Sequence, residues 1–363
     1  MNAPDLLSRT LRAPDAARAL SMGEWDLLLR QAHHAGLTSR LYHILRQAGC
    51  DEAIPAPARW HFEAADTLAA RQQVAVRWEI AQVKKALGTA GIPLLLLKGA
   101  AYVAAGLPAA QGRLFNDLDI LVPREALDAA ESALMLAGWH ATGLSAYDQR
   151  YYRRWMHEIP PLQHVQRATV IDVHHAILPD TARSRPDPAR LRAQAVAVPG
   201  LPGVRVLCAT DRILHSAAHL FHDGELPHGL RDLSDLDLLL RDAAREADFW
   251  PRLVARAGEL ELGRSLFHAL RYVRHFLATP VPASVDVALA RFAPARPVQA
   301  LLDAVFTRAL APMHPSCEDR LTPAARLAAY VRAHWLRMPP RLLLPHLLHK
   351  AFLGEDAREA KAA

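Results

Sequence analysis

The sequence predicts an α+β fold, in which a mixed β-sheet core is preceded and followed by helical regions. Two observations lead to this prediction. Apolar residues recur at helical spacing near both ends of the chain, whereas the middle contains short apolar runs bounded by glycine, proline or polar residues. Such runs are typical of buried strands. We expect an N-terminal helical region (1–90), a sheet-containing core (91–205) and a C-terminal helical domain (206–363).

The composition indicates a globular protein with a substantial core and a basic surface. Hydrophobic residues make up 51% of the 363 residues, and the net charge is +6. This charge suits an anionic ligand such as a nucleotide. Binding to nucleic acid is unsupported, because long runs of Lys and Arg are absent and only 6% of the residues are aromatic. We expect a cytoplasmic protein, because the N-terminus lacks a signal-peptide core and no apolar run could span a bilayer.

The N-terminal region contains the signals of at least two helices. Ser21 and Glu24 have the spacing of a capping box, and apolar residues follow at helical spacing from Trp25. A longer helical pattern covers about residues 57–87 and ends at Gly88.

The core region alternates strand and helix signals. We expect strands in residues 92–97, 116–122, 168–178 and 204–208, and helices in residues 100–106 and 124–139. The segment 156–165 contains two adjacent prolines, so we interpret it as an edge strand. In the C-terminal domain, helices are predicted at about 210–222, 230–243, 248–275, 298–310 and 323–350.

Three aspartates form the pattern that most clearly points to chemistry. Asp117 and Asp119 are two residues apart on a predicted strand and therefore project from the same face. Asp172 lies within a later strand, and neighbouring strands would bring the three carboxylates together. Clustered carboxylates repel one another, and a hard cation such as Mg²⁺ or Mn²⁺ relieves that repulsion. The pattern thus predicts a metal site suited to phosphoryl displacement.

A strand-to-helix turn at Lys98 and Gly99 supplies a second element. Glycine allows the backbone to approach a phosphate closely, and the helix that follows offers unpaired N–H groups. Lys98 is one of only five lysines among 43 basic residues. Arg113 lies four residues before Asp117 and could neutralise a triphosphate.

Three segments together resemble a bacterial family of uncharacterised nucleotidyltransferases, within the superfamily related to DNA polymerase beta. They are LLLLKGAA (94–101), GRLFNDLDILV (112–122) and VIDVHHAIL (170–178). The resemblance covers about residues 90–240 and implies a nucleotidyltransferase-type mixed sheet. It also implies metal-dependent transfer of a nucleoside monophosphate from an NTP, most readily ATP, with release of pyrophosphate.

The resemblance assigns roles to individual residues. Asp117, Asp119 and Asp172 would be the catalytic metal ligands, and Lys98, Gly99 and Arg113 would bind the nucleotide. One departure concerns Ala100, because the superfamily usually places Gly or Ser directly after the turn glycine. This chain has no hydroxyl there to help hold the triphosphate.

Histidines and one further acid are candidates for lining the cleft. His174 shares a strand face with Asp172, His157 lies on the preceding strand candidate, and His219 and Asp232 lie on later helices. The predicted helix 210–222 places three histidines on one face, followed by Asp223; they are His215, His219 and His222. This spacing alone cannot supply a complete metal site.

The segment RDLSDLDLLL (231–240) mimics the aspartate strand. Its surroundings favour a helix, on which Asp235 and Asp237 lie about 200° apart and cannot chelate one ion. We therefore reject a second active site there and expect Asp232 and Asp235 to form salt bridges.

The sequence leaves three functions open. The first is an NTP-dependent nucleotidyltransferase that acts on a hydroxyl of an unidentified small-molecule, peptide or protein acceptor. The second is a catalytically weak or inactive protein of the same fold that binds a nucleotide or a protein partner. The third is a histidine-based phosphohydrolase that uses the 215–223 segment. A fold does not determine a function, and no motif identifies the acceptor.

Overall fold

The computed structural model describes residues 5–141, 152–153, 155–222 and 224–339, and it confirms the predicted α+β class. The helices that precede the sheet are α1 (Leu6–Arg12), α2 (Met22–His34), α3 (Thr38–Gln47) and α4 (Ala56–Gly88). The predicted capping box is present at the start of α2, where the Ser21 and Glu24 side chains each accept from the other residue's backbone N–H. The long helix predicted over 57–87 is α4.

A seven-stranded mixed sheet forms the centre of the molecule. Its strands are β1 (Leu94–Leu96), β2 (Asp117–Leu121), β3 (Trp139–Ala141), β4 (Leu162–His164), β5 (Val170–His174), β6 (Val196–Ala197) and β7 (Val204–Val206). The spatial order is β3-β4-β5-β2-β1-β7-β6. The pair β2–β5 and the pair β1–β7 are parallel, and the remaining pairs are antiparallel.

The register between β2 and β5 determines where the aspartates lie. Asp119 is directly opposite Asp172, and the apolar residues Leu118 and Ile171 are opposite each other one position earlier. Side chains alternate between the two faces of a strand. The carboxylates of Asp119 and Asp172 therefore project from the same face of the sheet, as the sequence predicted.

The interpretation of 156–165 as an edge strand is wrong. The segment contributes β4, which pairs with both β3 and β5 and therefore lies inside the sheet. Pro160 and Pro161 precede the strand, so neither removes a donor from the ladder. The short strand β3, which the sequence did not predict, supplies the outer neighbour.

Two short helices, α5 (Lys98–Ala104) and α6 (Leu127–Leu136), follow β1 and β2, and α7 (Pro188–Ala193) precedes β6. The C-terminal helices are α8 (Ala209–His222), α9 (Gly229–Ala243), α10 (Phe249–Glu259), α11 (Gly263–Leu277), α12 (Ala283–Leu289), α13 (Arg296–Ala309) and α14 (Thr322–Arg337).

Two of the predicted C-terminal helices have different bounds in the structure. The single helix predicted over 248–275 is wrong, because α10 and α11 are separated by a turn in which Glu261 has a left-handed backbone (φ 57°). The helix predicted over 323–350 corresponds to α14 as far as Arg337, and residues 340–350 lie outside the described residues.

One large hydrophobic cluster connects the sheet to helices that precede it and helices that follow it in the sequence. Leu28 of α2, Ile120 of β2 and Leu239 of α9 all belong to this cluster. Within the described ranges, no helix combines the length and apolar character needed to cross a membrane.

Candidate active site

Strands β2 and β5 bring the predicted carboxylates together. A carboxylate oxygen of Asp119, one of Asp172 and a ring nitrogen of His174 all lie within 4.8 Å of one another. Asp117 is exposed at the start of β2, on the same face as Asp119. The cluster therefore has one solvent-accessible acid and two acids that are partly or fully buried.

Asp119 is buried and is held in its ionised form by two neighbours. Its Oδ1 accepts from Lys98 Nζ at 2.7 Å and lies 2.9 Å from His174 Nε2. Burial alone would raise the pKa of Asp119, but Lys98 and His174 lower it well below the usual value. Asp119 is thus a permanent negative charge at the centre of the site.

Asp172 differs from Asp119 in the hydrogen bonding of its carboxylate, although His174 also lies close to it. Its Oδ1 is buried and has no hydrogen-bond partner in the described part of the chain. Burial, together with the negative charges of Asp119 and Glu158, raises the pKa of Asp172 to about 7. Although the Asp117 side chain reaches solvent, its carboxyl group is partly desolvated, and this effect, followed by repulsion from Asp119, raises its pKa. An additional cation would relieve both effects.

The turn at Lys98 and Gly99 is tightly constrained. Lys98 has a left-handed backbone with φ of 42°, which is uncommon outside glycine. A Cβ on Gly99 would lie 2.6 Å from Arg113 Nη1 and 2.7 Å from Phe115 Cδ1. Glycine is therefore required here to admit these two side chains. Burial alone would lower the pKa of Lys98, but the charge and hydrogen bond of Asp119, together with the charges of Asp117 and Glu158, raise it.

Arg113 lies beside the carboxylates but is engaged in a buried ion-pair network. Its Nε donates to Asp235 Oδ2 at 2.8 Å, and Arg40 Nη1 donates to Asp235 Oδ1 at 2.6 Å. Burial would raise the pKa of Asp235, but the two arginines lower it. The predicted salt bridge of Asp235 is confirmed, and the segment 231–240 is helical, as predicted, within α9.

Two recesses open on either side of Lys98, Asp117 and His219, which line both of them. We call the first the arginine recess. Its other lining residues are Tyr102, Arg113, Leu114, Asn116, Asp119, Ser216, Arg231, Asp232 and Asp235. We call the second the Asp172 recess. Its other lining residues are Met156, His157, Glu158, Asp172, Ile177, Leu178, Pro179, His222 and Arg337.

The four residues predicted as candidates for lining the cleft all lie in this region. His157 lines the Asp172 recess, Asp232 lines the arginine recess, and His219 lines both. His174 is buried and contacts Asp119. Arg231 donates to Asp232 Oδ1 at 3.0 Å and therefore holds that carboxylate at the side of the recess.

The histidines of α8 are predominantly neutral. Burial and then Lys98 lower the pKa of His215 to about 3, and Lys98 followed by burial lowers that of His219 well below its usual value. None of the groups with metal-ligand spacing in the described residues includes a histidine of α8. Asp223, which the phosphohydrolase hypothesis used, lies outside the described residues.

Sequence reasoning missed several residues that support the site. Arg40 holds Asp235, Arg231 lines the arginine recess, and Tyr102 and Ser216 share a hydrogen bond of 2.7 Å within it. The arginines carry no distinguishing signal in a chain where arginine is the usual basic residue. Tyr102 and Ser216 come into contact because α5 packs against α8, and this packing could not be predicted from the sequence.

Comparison with known proteins places the chain in a family. A family model described as "Uncharacterised nucleotidyltransferase" matches residues 21–278. The matched span extends from the N-cap of α2 to the end of α11 and includes the whole sheet and three of the helices that line the recesses, α5, α8 and α9. No curated protein and no solved structure matches the chain. Since the family model covers more than two thirds of the 363 residues, the chain belongs to this family of uncharacterised nucleotidyltransferases.

Proposed function

We propose that the protein transfers a nucleoside monophosphate from an NTP, most readily ATP, to a hydroxyl group of a small-molecule, peptide or protein acceptor. The acceptor oxygen bonds to the α-phosphorus while the bond from that phosphorus to the β-phosphate bridge breaks. Pyrophosphate leaves with the electron pair, and the hydroxyl proton is released. The observation that carries this proposal is the side-by-side position of Asp119 and Asp172 on parallel strands, with Asp172 Oδ1 buried and unpartnered among the described residues.

Asp117, Asp119 and Asp172 would hold Mg²⁺ or Mn²⁺. The donor set is made of carboxylate oxygens, which these hard ions prefer. The Oδ1 of Asp172 has no partner among the described residues, and the pKa of its carboxyl group is raised. Both observations fit a site in which a positive charge is missing beside Asp172. When bound, the metal supplies positive charge that stabilises the phosphate oxygens during displacement.

The arginine recess is suited to binding the triphosphate of the nucleotide. Arg113 and Arg231 line it together with the ammonium of Lys98. The guanidinium groups also attract Asp232 and Asp235, but the recess still contains donors that can bind phosphate oxygens. Lys98 lines this recess and bonds to Asp119, so it can neutralise charge on both the enzyme and the nucleotide.

The Asp172 recess is suited to binding the acceptor. Asp172 faces a space lined by both polar side chains and the apolar residues Ile177 and Leu178. The Asp172 carboxylate lines this recess, so in its ionised form it can accept a hydrogen bond from the acceptor hydroxyl and orient it.

A second candidate function is nucleotide binding without transfer. Two observations favour it. Ala100 is buried and offers no hydroxyl where the superfamily usually has Gly or Ser, and Lys98 Nζ already neutralises Asp119 at 2.7 Å. This candidate predicts NTP binding without release of pyrophosphate for any acceptor.

The test is an assay in which the α-phosphate of each NTP is labelled and the purified protein is incubated with a cell lysate and Mg²⁺ or Mn²⁺. We expect a labelled product and released pyrophosphate with the wild type, and neither with Asp119→Asn. Asp237→Asn is the matched control, because Asp237 belongs to the second Asp-x-Asp pair but lies outside both recesses. Binding of NTP without label transfer would favour the second candidate. Absence of metal-dependent binding of all four NTPs would contradict both.

The histidine-based phosphohydrolase makes the opposite prediction. Its activity would be phosphate release that is lost in His219→Ala and retained in Asp119→Asn. The metal-ligand groups of the described residues give this function no support.

A further inference from the structure

A second cluster with metal-ligand spacing lies next to the carboxylates. One ligand atom each from His157, Glu158 and His174 lies within 4.8 Å of the other two. The backbone holds these residues in position, because Glu158 forms an antiparallel bridge with His174, and Ile159 N–H donates to Val173 O at 3.0 Å. The arrangement therefore does not depend on flexible loops alone.

The orientation of His174 leaves one ring nitrogen directed toward this cluster. Its Nε2 lies 2.9 Å from Asp119 Oδ1, so a proton on Nε2 donates to that carboxylate. Its Nδ1 is buried, makes no hydrogen bond within the described residues and lies 3.2 Å from Glu158 Oε2. The side chain of His174 is only 2% exposed. Histidines that bind metals commonly donate their other N–H to a carboxylate, which fixes the ring in this way.

His157 provides a second nitrogen of the same kind. Its Nδ1 is buried and also has no hydrogen-bond partner in the described ranges. The His157 and His174 rings are 5.2 Å apart between centroids. Burial is the largest of the effects that lower the pKa of His157 well below its usual value. Its imidazole is therefore neutral near pH 7, which is the form that binds metals.

We propose that His157, Glu158 and His174 bind a divalent transition-metal ion, represented by Zn²⁺, at a site distinct from the Asp117–Asp119–Asp172 site. Two imidazole nitrogens and one carboxylate suit Zn²⁺ better than Mg²⁺, which prefers oxygen ligands throughout. In tetrahedral zinc sites the ligand atoms lie roughly 3.4 Å apart, given bonds of about 2.0–2.1 Å. The 3.2 Å between His174 Nδ1 and Glu158 Oε2 is close to this separation.

The position of the site gives the ion access to a ligand. Three protein ligands leave a fourth coordination position for water or a bound molecule. His157 and Glu158 line the Asp172 recess, so this fourth position lies where a small molecule can enter. The ligand class that the site would take is therefore one with an oxygen or nitrogen donor that can coordinate the ion.

The experiment is a metal titration of the full chain after chelator treatment, without nucleotide and with excess Mg²⁺ to fill the carboxylate site. Zn²⁺ affinity is measured by calorimetry, and Co²⁺ serves as a spectroscopic probe through its visible absorption. We expect binding of one Zn²⁺ by the wild type. Affinity should fall at least about 10-fold in His157→Ala and in Glu158→Gln, and the Co²⁺ absorption should change in both variants because each loses one ligand of the ion.

Two control variants assign the ion to this cluster. His222→Ala removes a histidine that lines the same recess but lies outside the cluster, and Asp117→Asn removes an acid of the other site. Glu158→Gln preserves side-chain shape, and circular dichroism checks that each variant is folded. Wild-type Zn²⁺ affinity in both His157→Ala and Glu158→Gln would overturn the proposal, as would loss of binding in Asp117→Asn alone. Binding of Mg²⁺ and ATP, measured separately, reports on the proposed transferase function independently.

Discussion

Arg113 and Asp235 are joined by a hydrogen bond of 2.8 Å between Nε and Oδ2, although 122 residues separate them in the sequence. Arg40, in α3, donates to the other oxygen of the same carboxylate. One buried acid therefore connects an N-terminal helix, the loop before β2 and the C-terminal helix α9. Helices before and after the sheet in the sequence thus support the loop that leads into β2, the strand that carries Asp117 and Asp119.

Replacing Asp235 should destabilise the whole protein. Asp235→Ala leaves two buried guanidinium groups without their carboxylate, and loss of one partner of a buried pair costs about 3–5 kcal/mol. Urea unfolding measures this change in the free energy of unfolding. The control is Asp26→Ala, which removes an ion pair with Arg30 in which both side chains are more than 60% exposed and should cost less than about 1 kcal/mol. Equal losses in the two variants would contradict the prediction.

The contribution of Asp172 to the stability of the metal-free protein should fall as the pH rises from about 4 to about 7. The folded protein holds a proton on Asp172 up to a pKa of about 7, whereas the unfolded chain releases it near the usual value of 3.8. At this carboxyl group the folded state thus binds more protons in this interval, and the contribution of the group to the free energy of unfolding decreases with pH. The total change is on the order of a few kcal/mol.

Asp172→Asn tests this assignment. Relative to the wild type, the variant should become progressively more stable between pH 4 and pH 7, measured by urea unfolding in the presence of a chelator, and should exceed the wild type in stability at pH 8. An unchanged pH profile in Asp172→Asn would show that another group is responsible.

Mg²⁺ should stabilise Lys98→Met more than it stabilises the wild type. The substitution removes the ammonium that bonds to Asp119 at 2.7 Å and leaves the carboxylates with excess negative charge. A divalent cation then gains more by binding, so the Mg²⁺-induced rise in Tm becomes larger. Differential scanning calorimetry measures the shift. Lys85→Met is the control, because Lys85 is exposed on α4. A smaller shift in Lys98→Met than in the wild type would contradict the prediction.

Gly99→Ala should weaken ATP binding and destabilise the fold. The new Cβ would lie 2.6 Å from Arg113 Nη1 and 2.7 Å from Phe115, and such overpacking costs typically about 1–3 kcal/mol. Displacement of Arg113 also removes a donor from the arginine recess. Gly23→Ala, on α2, is the matched control, since its Cβ would have no atom within 4 Å. It should be neutral or stabilising by up to about 1 kcal/mol. Calorimetric titration with ATP and thermal unfolding distinguish the two variants.

The sequence predicted the elements whose apolar pattern is strong. The long helix α4 and the strands β1, β2 and β5 lie close to their predicted positions, because burial on both faces or along one stripe gives each a clear pattern. The two-residue strand β6 is too short to have a pattern. The break between α10 and α11 was missed because Leu260 and Leu262 continue the apolar series across the turn.

Only part of the candidate site could likewise be predicted from the sequence. Asp117, Asp119 and Asp172 could be grouped from sequence because alternation along a strand fixes which side chains share a face. Arg40 could not be assigned, because its partner Asp235 lies 195 residues away. The cluster of His157, Glu158 and His174 depends on a backbone bridge between two segments, and strand patterns alone do not specify that pairing. The division into three regions by residue number remains a prediction.

The alignment of β2 with β5 has a consequence for how this protein could lose function. The register of these two strands is fixed by buried aliphatic side chains, those of Leu118, Ile171 and Val173. A shift of the register by one residue would place the Asp119 side chain on the opposite face of the sheet from Asp172. Inactivation therefore does not require any change to an acid. A repacking of ordinary aliphatic residues beneath the sheet would separate the carboxylates while leaving every recognisable motif intact.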